Sequence, residues 1–128
     1  MIRTYQPLFS PEPDAQGYYP ICRVAQLAET VLTVKLTGWQ LLLLLQEETG
    51  QMQVRAYSAL CPHQSANLAI GELVSYDGKL CIECPLHQWR FDLRDGKQQY
   101  PAENHLQLTR YLTEVRADGK VWVQLGKG

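Results

Sequence analysis

The dipeptide Asp-Gly, followed by Lys, occurs three times in the chain, at residues 77–79, 95–97 and 118–120. Asp-Gly supplies the positive φ angles that a two-residue turn between antiparallel strands needs. No segment has the period near 3.6 that a long helix requires, and only residues 24–30 could form a short helical turn. Short segments rich in β-branched, leucine and aromatic residues surround the turns, at 31–36, 40–46, 52–58, 79–83, 112–117 and 120–125. We therefore predict an all-β fold, an antiparallel β-sandwich or small barrel.

Composition indicates one globular domain, since the chain has 128 residues of which 45% are hydrophobic and 20% charged. A net charge of −1 provides no basic field for nucleic acid. The aliphatic run at 41–45 is far shorter than the roughly 20 residues of a membrane span, and both of its faces are hydrophobic, which predicts a central strand between packed layers. The N-terminal stretch also lacks the apolar segment of a signal peptide. We expect a cytoplasmic protein with neither a nucleic-acid nor a membrane partner.

The N-terminal stretch contains three prolines and has no usable hydrophobic periodicity. We expect residues 1–17 to form an extended arm and residues 18–128 to form the domain.

Two short segments each combine a cysteine with a histidine: residues 61–63 (Cys-Pro-His) and residues 84–87 (Cys-Pro-Leu-His). A proline stiffens each loop, and the turn at 77–78 can fold the second loop back toward the first. Together the loops offer two thiolates and two imidazoles. Zinc sites with these four ligands usually pair cysteine with cysteine and histidine with histidine. A binuclear iron cluster accounts for the mixed loops, because one iron can take both cysteines and the other both histidines.

These two segments resemble the Cys-x-His and Cys-x2-His motifs of Rieske [2Fe-2S] domains. The similarity extends to residues 18–20, 59–73, 84–96 (CPLHQWRFDLRDG) and 119–125, which look like the Rieske domains of bacterial ring-hydroxylating oxygenase systems and their ferredoxins. The resemblance implies a Rieske-type fold in which the two loops form a cluster-binding subdomain. It also implies one [2Fe-2S] cluster per chain, with Cys61 and Cys84 on one iron and His63 and His87 on the other.

The function implied by the resemblance is electron transfer, from a flavin reductase to an oxygenase. One alternative is a Rieske domain or small subunit of a larger oxidoreductase, such as an oxygenase or a nitrite reductase. An alternative of another class is a zinc-stabilised binding module. A ring-hydroxylating oxygenase also needs a mononuclear iron held by two histidines and a carboxylate. Only His105 remains after the two cluster histidines, so we expect no catalytic iron site in this chain.

High-potential Rieske proteins carry a loop-linking disulfide and a serine that donates a hydrogen bond to the cluster. This chain has Ala66 and Leu86 at the disulfide positions and Trp89 at the serine position. We therefore expect a reduction potential of about −150 mV, the low end of the Rieske range, and not about +300 mV. Gln88 stands where many relatives have glycine, and a positive φ there would strain it.

The remaining cysteines and the third histidine have simpler interpretations. Cys81 and Cys84 are three apart along a predicted strand and so face opposite sides, which favours a core position for Cys81. Cys22 lies in an apolar stretch and is also expected in the core. We expect His105 to be a solvated loop residue. For Trp89 and Phe91 two interpretations stay open, packing beside the second loop or simple core packing.

Overall fold

The computed structural model describes residues 2–6, 11–28, 30–36, 38–63, 66–102 and 105–125. These residues form strands joined by turns, with single turns of 3₁₀ helix at Val24–Leu27 and Leu68–Ile70. The strands are β1 Ile2–Tyr5, β2 Tyr18–Arg23, β3 Val31–Leu36, β4 Trp39–Glu48, β5 Gln51–Ser58, β6 Glu72–Tyr76, β7 Lys79–Glu83, β8 Arg90–Asp92, β9 Gln98–Tyr100, β10 Arg110–Tyr111, β11 Thr113–Val115 and β12 Lys120–Gln124. The prediction of an all-β fold is confirmed. So is the short helical turn predicted within residues 24–30, which the structure has at Val24–Leu27; residue 29 lies outside the described residues.

The strands form three sheets, with the orders β1-β3-β4-β5-β10, β11-β12-β2 and β6-β7-β8-β9. Between the described strands, the pairings are antiparallel except that of β1, which runs parallel to β3. The beginning of the predicted arm is thus an edge strand of the five-stranded sheet, a pairing that its sequence did not indicate. Residues 7–10 of the arm lie outside the described residues, and its boundary with the domain stays a prediction.

Strand β4 lies in the middle of the five-stranded sheet, as the aliphatic run predicted. Its side chains alternate between two cores: Leu42 and Leu44 pack into one, whereas Leu41 and Leu43 pack into the other. All four are buried. The core that contains Leu42 and Leu44 also contains two of the predicted ligands, Cys61 and Cys84. The central strand therefore forms part of the core in which both thiols are buried.

The predicted two-residue turn is confirmed at Asp77-Gly78, where φ is 52° and 75° and the turn joins β6 to β7. The prediction is wrong for the other two Asp-Gly pairs, where only the glycine has positive φ and the connections are longer. There the aspartate, Asp95 or Asp118, instead accepts a hydrogen bond from the amide two residues on. A second two-residue turn, missed from sequence because threonine rarely adopts positive φ, is Thr49-Gly50, with φ of 49° and 79°.

Among the described residues, no helix has the length and apolar character needed to cross a membrane.

Candidate metal centre

The first Cys-His loop follows β5 and is closed by its own backbone. The amide of Cys61 donates to the carbonyl of Ala66 at 2.8 Å, and the amide of Leu68 donates to the carbonyl of Ala59 at 2.7 Å. The Ala59 amide in turn donates to Gln40 in the central strand, at 2.8 Å. This closure buries Cys61 to 1% exposure, whereas His63 is exposed.

The second loop leaves the sheet at the end of β7 and re-enters it at β8. The amide of Cys84 donates to the carbonyl of Trp89 at 2.9 Å, which closes the loop. Glu83 and Arg90, which flank the loop on its two sides, are opposite each other in the β7–β8 pairing. Their side chains form an ion pair at 2.9 Å. Cys84 is thereby held at 3% exposure, while Leu86 points outward.

Gly71 brings the two loops together, although its sequence context gave no sign of this role. It follows the 3₁₀ turn that ends the first loop, and its Cα faces the carbonyl of Glu83, the residue before Cys84. A Cβ at this position would overlap that oxygen. The absence of a side chain therefore lets the first loop pack against the strand that carries the second.

All four predicted ligands meet at the tips of these loops. Ligand atoms of Cys61, Cys84 and His87 all lie within 4.8 Å of one another. Nε2 of His87 is 3.7 Å from Sγ of Cys84 and 2.9 Å from Nδ1 of His63. The cysteines are buried and His63 is exposed, so the site has its thiols on the inside and an imidazole toward solvent.

The chemistry of these side chains fits a metal group. Nδ1 of His87 is buried and has no hydrogen-bond partner among the described residues, which is costly for a polar atom unless something else binds it. Burial lowers the pKa of the His87 imidazole, and the neighbouring His63 lowers it further, which favours the neutral ring that a metal ligand needs. Two thiols and two imidazoles match the His₂Cys₂ donors of a Rieske cluster.

Trp89 and Phe91 have different surroundings. The Trp89 indole stacks on the His63 imidazole with ring centroids 3.9 Å apart, and it meets His87 at 5.4 Å. Phe91 is fully buried in the core below the site. Of the two interpretations that the sequence left open, packing beside the second loop holds for Trp89, and core packing holds for Phe91. Gln88 does not have the positive φ that would strain it, since Thr49 and Asp77 are the only non-glycine residues with positive φ in the described part of the chain.

The other two cysteines are core residues, as expected. Cys81 is fully buried opposite Asp92 in the β7–β8 pairing, and Cys22 is 6% exposed. Burial raises the pKa of the Cys81 thiol to about 11 and that of Cys22 to about 12, so both are poor thiolate donors. His105 is exposed, as expected for a solvated loop residue.

A cluster of aromatic and charged side chains at the base of the second loop was also not predicted from sequence. The Arg90 guanidinium lies 5.0 Å from the ring centroid of Tyr76 and 5.5 Å from that of Tyr100, while it pairs with Glu83. The two tyrosines come from β6 and β9, one on either side of the β7–β8 pair. Only the order of strands in the sheet brings them together.

Comparison with known proteins gives consistent results. Residues 17–111 match the family model of the Rieske [2Fe-2S] domain. The chain is 34% identical over 96 residues to the ferredoxin component of the alkene monooxygenase system of Xanthobacter autotrophicus. The aligned region covers 75% of this chain and 74% of that protein. It is 32% identical over 117 residues to the cholesterol 7-desaturase of Bombyx mori, covering 88% of this chain but 24% of that protein.

Among solved structures, the fold is similar to the ferredoxin of carbazole 1,9a-dioxygenase from Nocardioides aromaticivorans IC177. The TM-score is 0.62 at 27% identity, with 84% of this chain and 97% of that chain covered. The matched family spans most of the chain and both Cys-His loops. The chain therefore belongs to the Rieske [2Fe-2S] domain family and carries one [2Fe-2S] cluster.

Proposed function

We propose that Cys61 and Cys84 ligate one iron of the cluster and that His63 and His87 ligate the other. The observation that carries this assignment is the meeting of Cys61, Cys84 and His87 within 4.8 Å, with His63 in direct contact with His87. The buried thiols lie against the core, and the imidazoles lie between them and solvent. This arrangement suits a cluster with one protected iron and one iron that faces a partner.

A cluster with two neutral imidazole ligands accepts an electron at a higher potential than one with four thiolates, because it carries less negative charge. The protein holds the ligands in place and keeps water from the cysteine side. Ala59, Leu68 and Phe91 are fully buried in the core that contains both thiols. The exposed side of His63 gives the electron a short route out.

We further propose that the chain acts as a ferredoxin, which accepts electrons from a flavin reductase and delivers them to an oxygenase in the cytoplasm. The similarity to the ferredoxin components of an alkene monooxygenase and of carbazole 1,9a-dioxygenase supports this proposal. Each of those ferredoxins is matched over most of its own length. The outlet at His63 suits transfer to a separate protein.

A second candidate is a Rieske domain of a longer oxidoreductase. It is favoured by the similarity to cholesterol 7-desaturases, of whose length the chain spans no more than 24%. Reconstitution distinguishes the two candidates: the chain is combined with purified flavin reductase and oxygenase components, and NADH-dependent substrate oxidation is measured. A ferredoxin restores turnover as a separate protein, in proportion to its concentration. Turnover that is independent of the added chain would contradict the ferredoxin proposal.

The zinc alternative is tested on the purified protein. Protein from iron-replete cells, handled without air, is expected to be red-brown, to contain two irons and two labile sulfides per chain, and to give an EPR signal on reduction. A colourless protein with one zinc and no labile sulfide would contradict the ligand assignment to an iron cluster.

A further inference from the structure

An apolar cavity of about 620 Å³ lies between two of the sheets. Val31, Leu44 and Met52 line it from the five-stranded sheet, and Leu73 and Leu80 line it from the sheet that contains β6 and β7. The short 3₁₀ turn before β3 contributes to the lining as well. The cavity is therefore enclosed by parts of the chain that only the packing of the sheets brings together.

Leu80 shows that the core between these sheets is incompletely filled at this end. Leu80 and Ile82 are two residues apart in β7 and so face the same side of the sheet. Ile82 is fully buried in the core that also contains Leu44. Leu80 is nevertheless 47% exposed. Side chains on the inner faces of packed sheets normally interdigitate, so the cavity leaves apolar surface on a core face uncovered.

The lining restricts the chemistry of a ligand. Among the described residues that line the cavity, Thr30 is the only one with a polar side chain, and none is charged. A charged group placed there would lose its hydration without gaining a partner of opposite charge. The lining therefore favours an uncharged, largely apolar ligand.

The shape of the cavity favours a small molecule over a protein. Pockets for small molecules usually have roughly 300–1,000 Å³, and an apolar cavity of about 150 Å³ is enough for benzene. Leu27, Val31 and Leu44 are exposed by 4% or less and form a buried floor. The exposed large apolar side chains of the described lining are Met52 and Leu80. Two such side chains are far from the roughly 800 Å² that each partner buries in a stable protein interface.

We propose that this cavity binds an uncharged apolar small molecule with two or three rings. The ligand fills the open end of the core and covers Leu80. Leu80 precedes Cys84 by four residues of nearly extended chain, about 13 Å, so the ligand binds away from the cluster. The inference is independent of the proposed function, because it requires neither a redox partner nor electron transfer.

The first test uses the full chain with its cluster and two compounds that share one ring system. N-Phenyl-1-naphthylamine is uncharged, whereas 8-anilinonaphthalene-1-sulfonate carries a sulfonate. In equilibrium dialysis we expect saturable binding of one uncharged compound per chain and at least tenfold weaker binding of the sulfonate. Absence of saturable binding, or equal affinity for the two compounds, overturns the inference. The visible spectrum of the cluster should stay unchanged on binding, and a change would place the compound at the cluster instead.

The second test places a charge at the rim. Leu80→Lys and Met52→Lys, with visible spectra that show an intact cluster, should each raise the Kd for N-phenyl-1-naphthylamine at least fivefold. Leu112→Lys is the matched control, because Leu112 is 63% exposed and lines a neighbouring cavity with Met52 but does not line this one. A smaller change in either rim variant, or an equal change in the control, overturns the inference. Analytical ultracentrifugation tests the other occupant: a wild-type dimer that Leu80→Lys dissociates would show that a second copy of the chain covers the cavity, and would also overturn the inference.

Discussion

The indole ring of Trp89 lies face to face with the imidazole of His63, with 3.9 Å between the ring centroids and 9° between the planes. The same indole approaches His87 at 60°, with 5.4 Å between the centroids. One side chain at the end of the second loop therefore contacts both proposed histidine ligands. It links the two loops at the outer side of the site, whereas the two cysteines are buried at its inner side.

Replacing Trp89 with leucine should make the cluster less durable without preventing its assembly. Aromatic pairs contribute about 0.5–1.5 kcal/mol beyond their buried area, which corresponds to a roughly twofold to tenfold faster loss of the cluster. Trp89→Phe keeps an aromatic face and is the control. Decay of the visible absorbance under air measures the effect. Equal rates of absorbance decay in the wild-type protein and in Trp89→Leu would show that stacking on Trp89 does not hold His63 in place.

Cys84→Ala should abolish iron and labile sulfide, whereas Cys81→Ala should retain both. Cys84 lies in the group of converging ligand atoms, while Cys81 is enclosed in the core opposite Asp92. Loss of the cluster should also destabilise the domain, because the metal site ties the two loops together. Iron and sulfide analysis of both proteins is the measurement. Iron loss from the Cys81 variant with retention in the Cys84 variant would reverse the assignment.

Gly71→Ala should destabilise the protein by about 1–3 kcal/mol, a cost typical of forcing extra atoms into a packed region. The new Cβ would overlap the Glu83 carbonyl oxygen and push the first loop away from Cys84. Urea unfolding measures the cost, and the visible spectrum reports the site. Gly38→Ala is the comparison. A Cβ at this position meets nothing within 4 Å, so the φ of 82° is the only source of strain for an alanine there. We expect the visible spectrum to be perturbed in Gly71→Ala and unchanged in Gly38→Ala. An unchanged spectrum in Gly71→Ala would show that this glycine does not position the loops.

Asp92 should contribute to stability at neutral pH and lose that contribution in acid. The carboxylate is 1% exposed, and burial by itself raises its pKa, but hydrogen bonds from the Arg94 side chain and amide outweigh burial and lower the pKa. A lowered folded-state pKa stabilises the protein above the unfolded value of about 3.9, and the stabilisation is lost as pH falls through the folded value.

We therefore expect Asp92→Asn to cost about 1.5–3 kcal/mol at pH 7, the usual contribution of a hydrogen bond to a charged group, and less below about pH 4. Urea unfolding at several pH values measures this difference. Asp77→Asn, in an exposed turn, is the control, because it makes the same change of side chain outside the core. A cost for Asp92→Asn that stays constant from pH 7 to pH 3 would contradict the prediction.

The reduction potential should lie near −150 mV, at the low end of the Rieske range. Ala66 and Leu86 cannot form a disulfide between the loops, and Trp89 offers no hydroxyl donor to the cluster. Fewer hydrogen bonds leave the added electron less stabilised. Redox titration followed by EPR measures the potential, and a value near +300 mV would contradict this reasoning.

The sequence by itself determined the features that depend on neighbours along the chain. The spacing of residues 61–63 and 84–87 identified the four proposed ligands, because each loop is too short to send its two side chains apart. The aliphatic run at 41–45 predicted the central strand, since alternate residues of a strand face opposite sides and both sides are apolar. The Asp77-Gly78 turn was predictable for the same local reason.

The tertiary structure decided what depends on residues far apart in sequence. Trp89 reaches His63 only because the loops converge, and the role of Gly71 appears only once β7 passes beside it. The parallel pairing of β1 with β3 and the enclosure of Arg90 between two tyrosines both follow from the order of strands in the sheets. Turn chemistry and strand periodicity are local properties, whereas strand order minimises the exposed apolar surface of the whole chain. The sequence thus indicated the proposed ligands, and the packed fold determined which surfaces surround them.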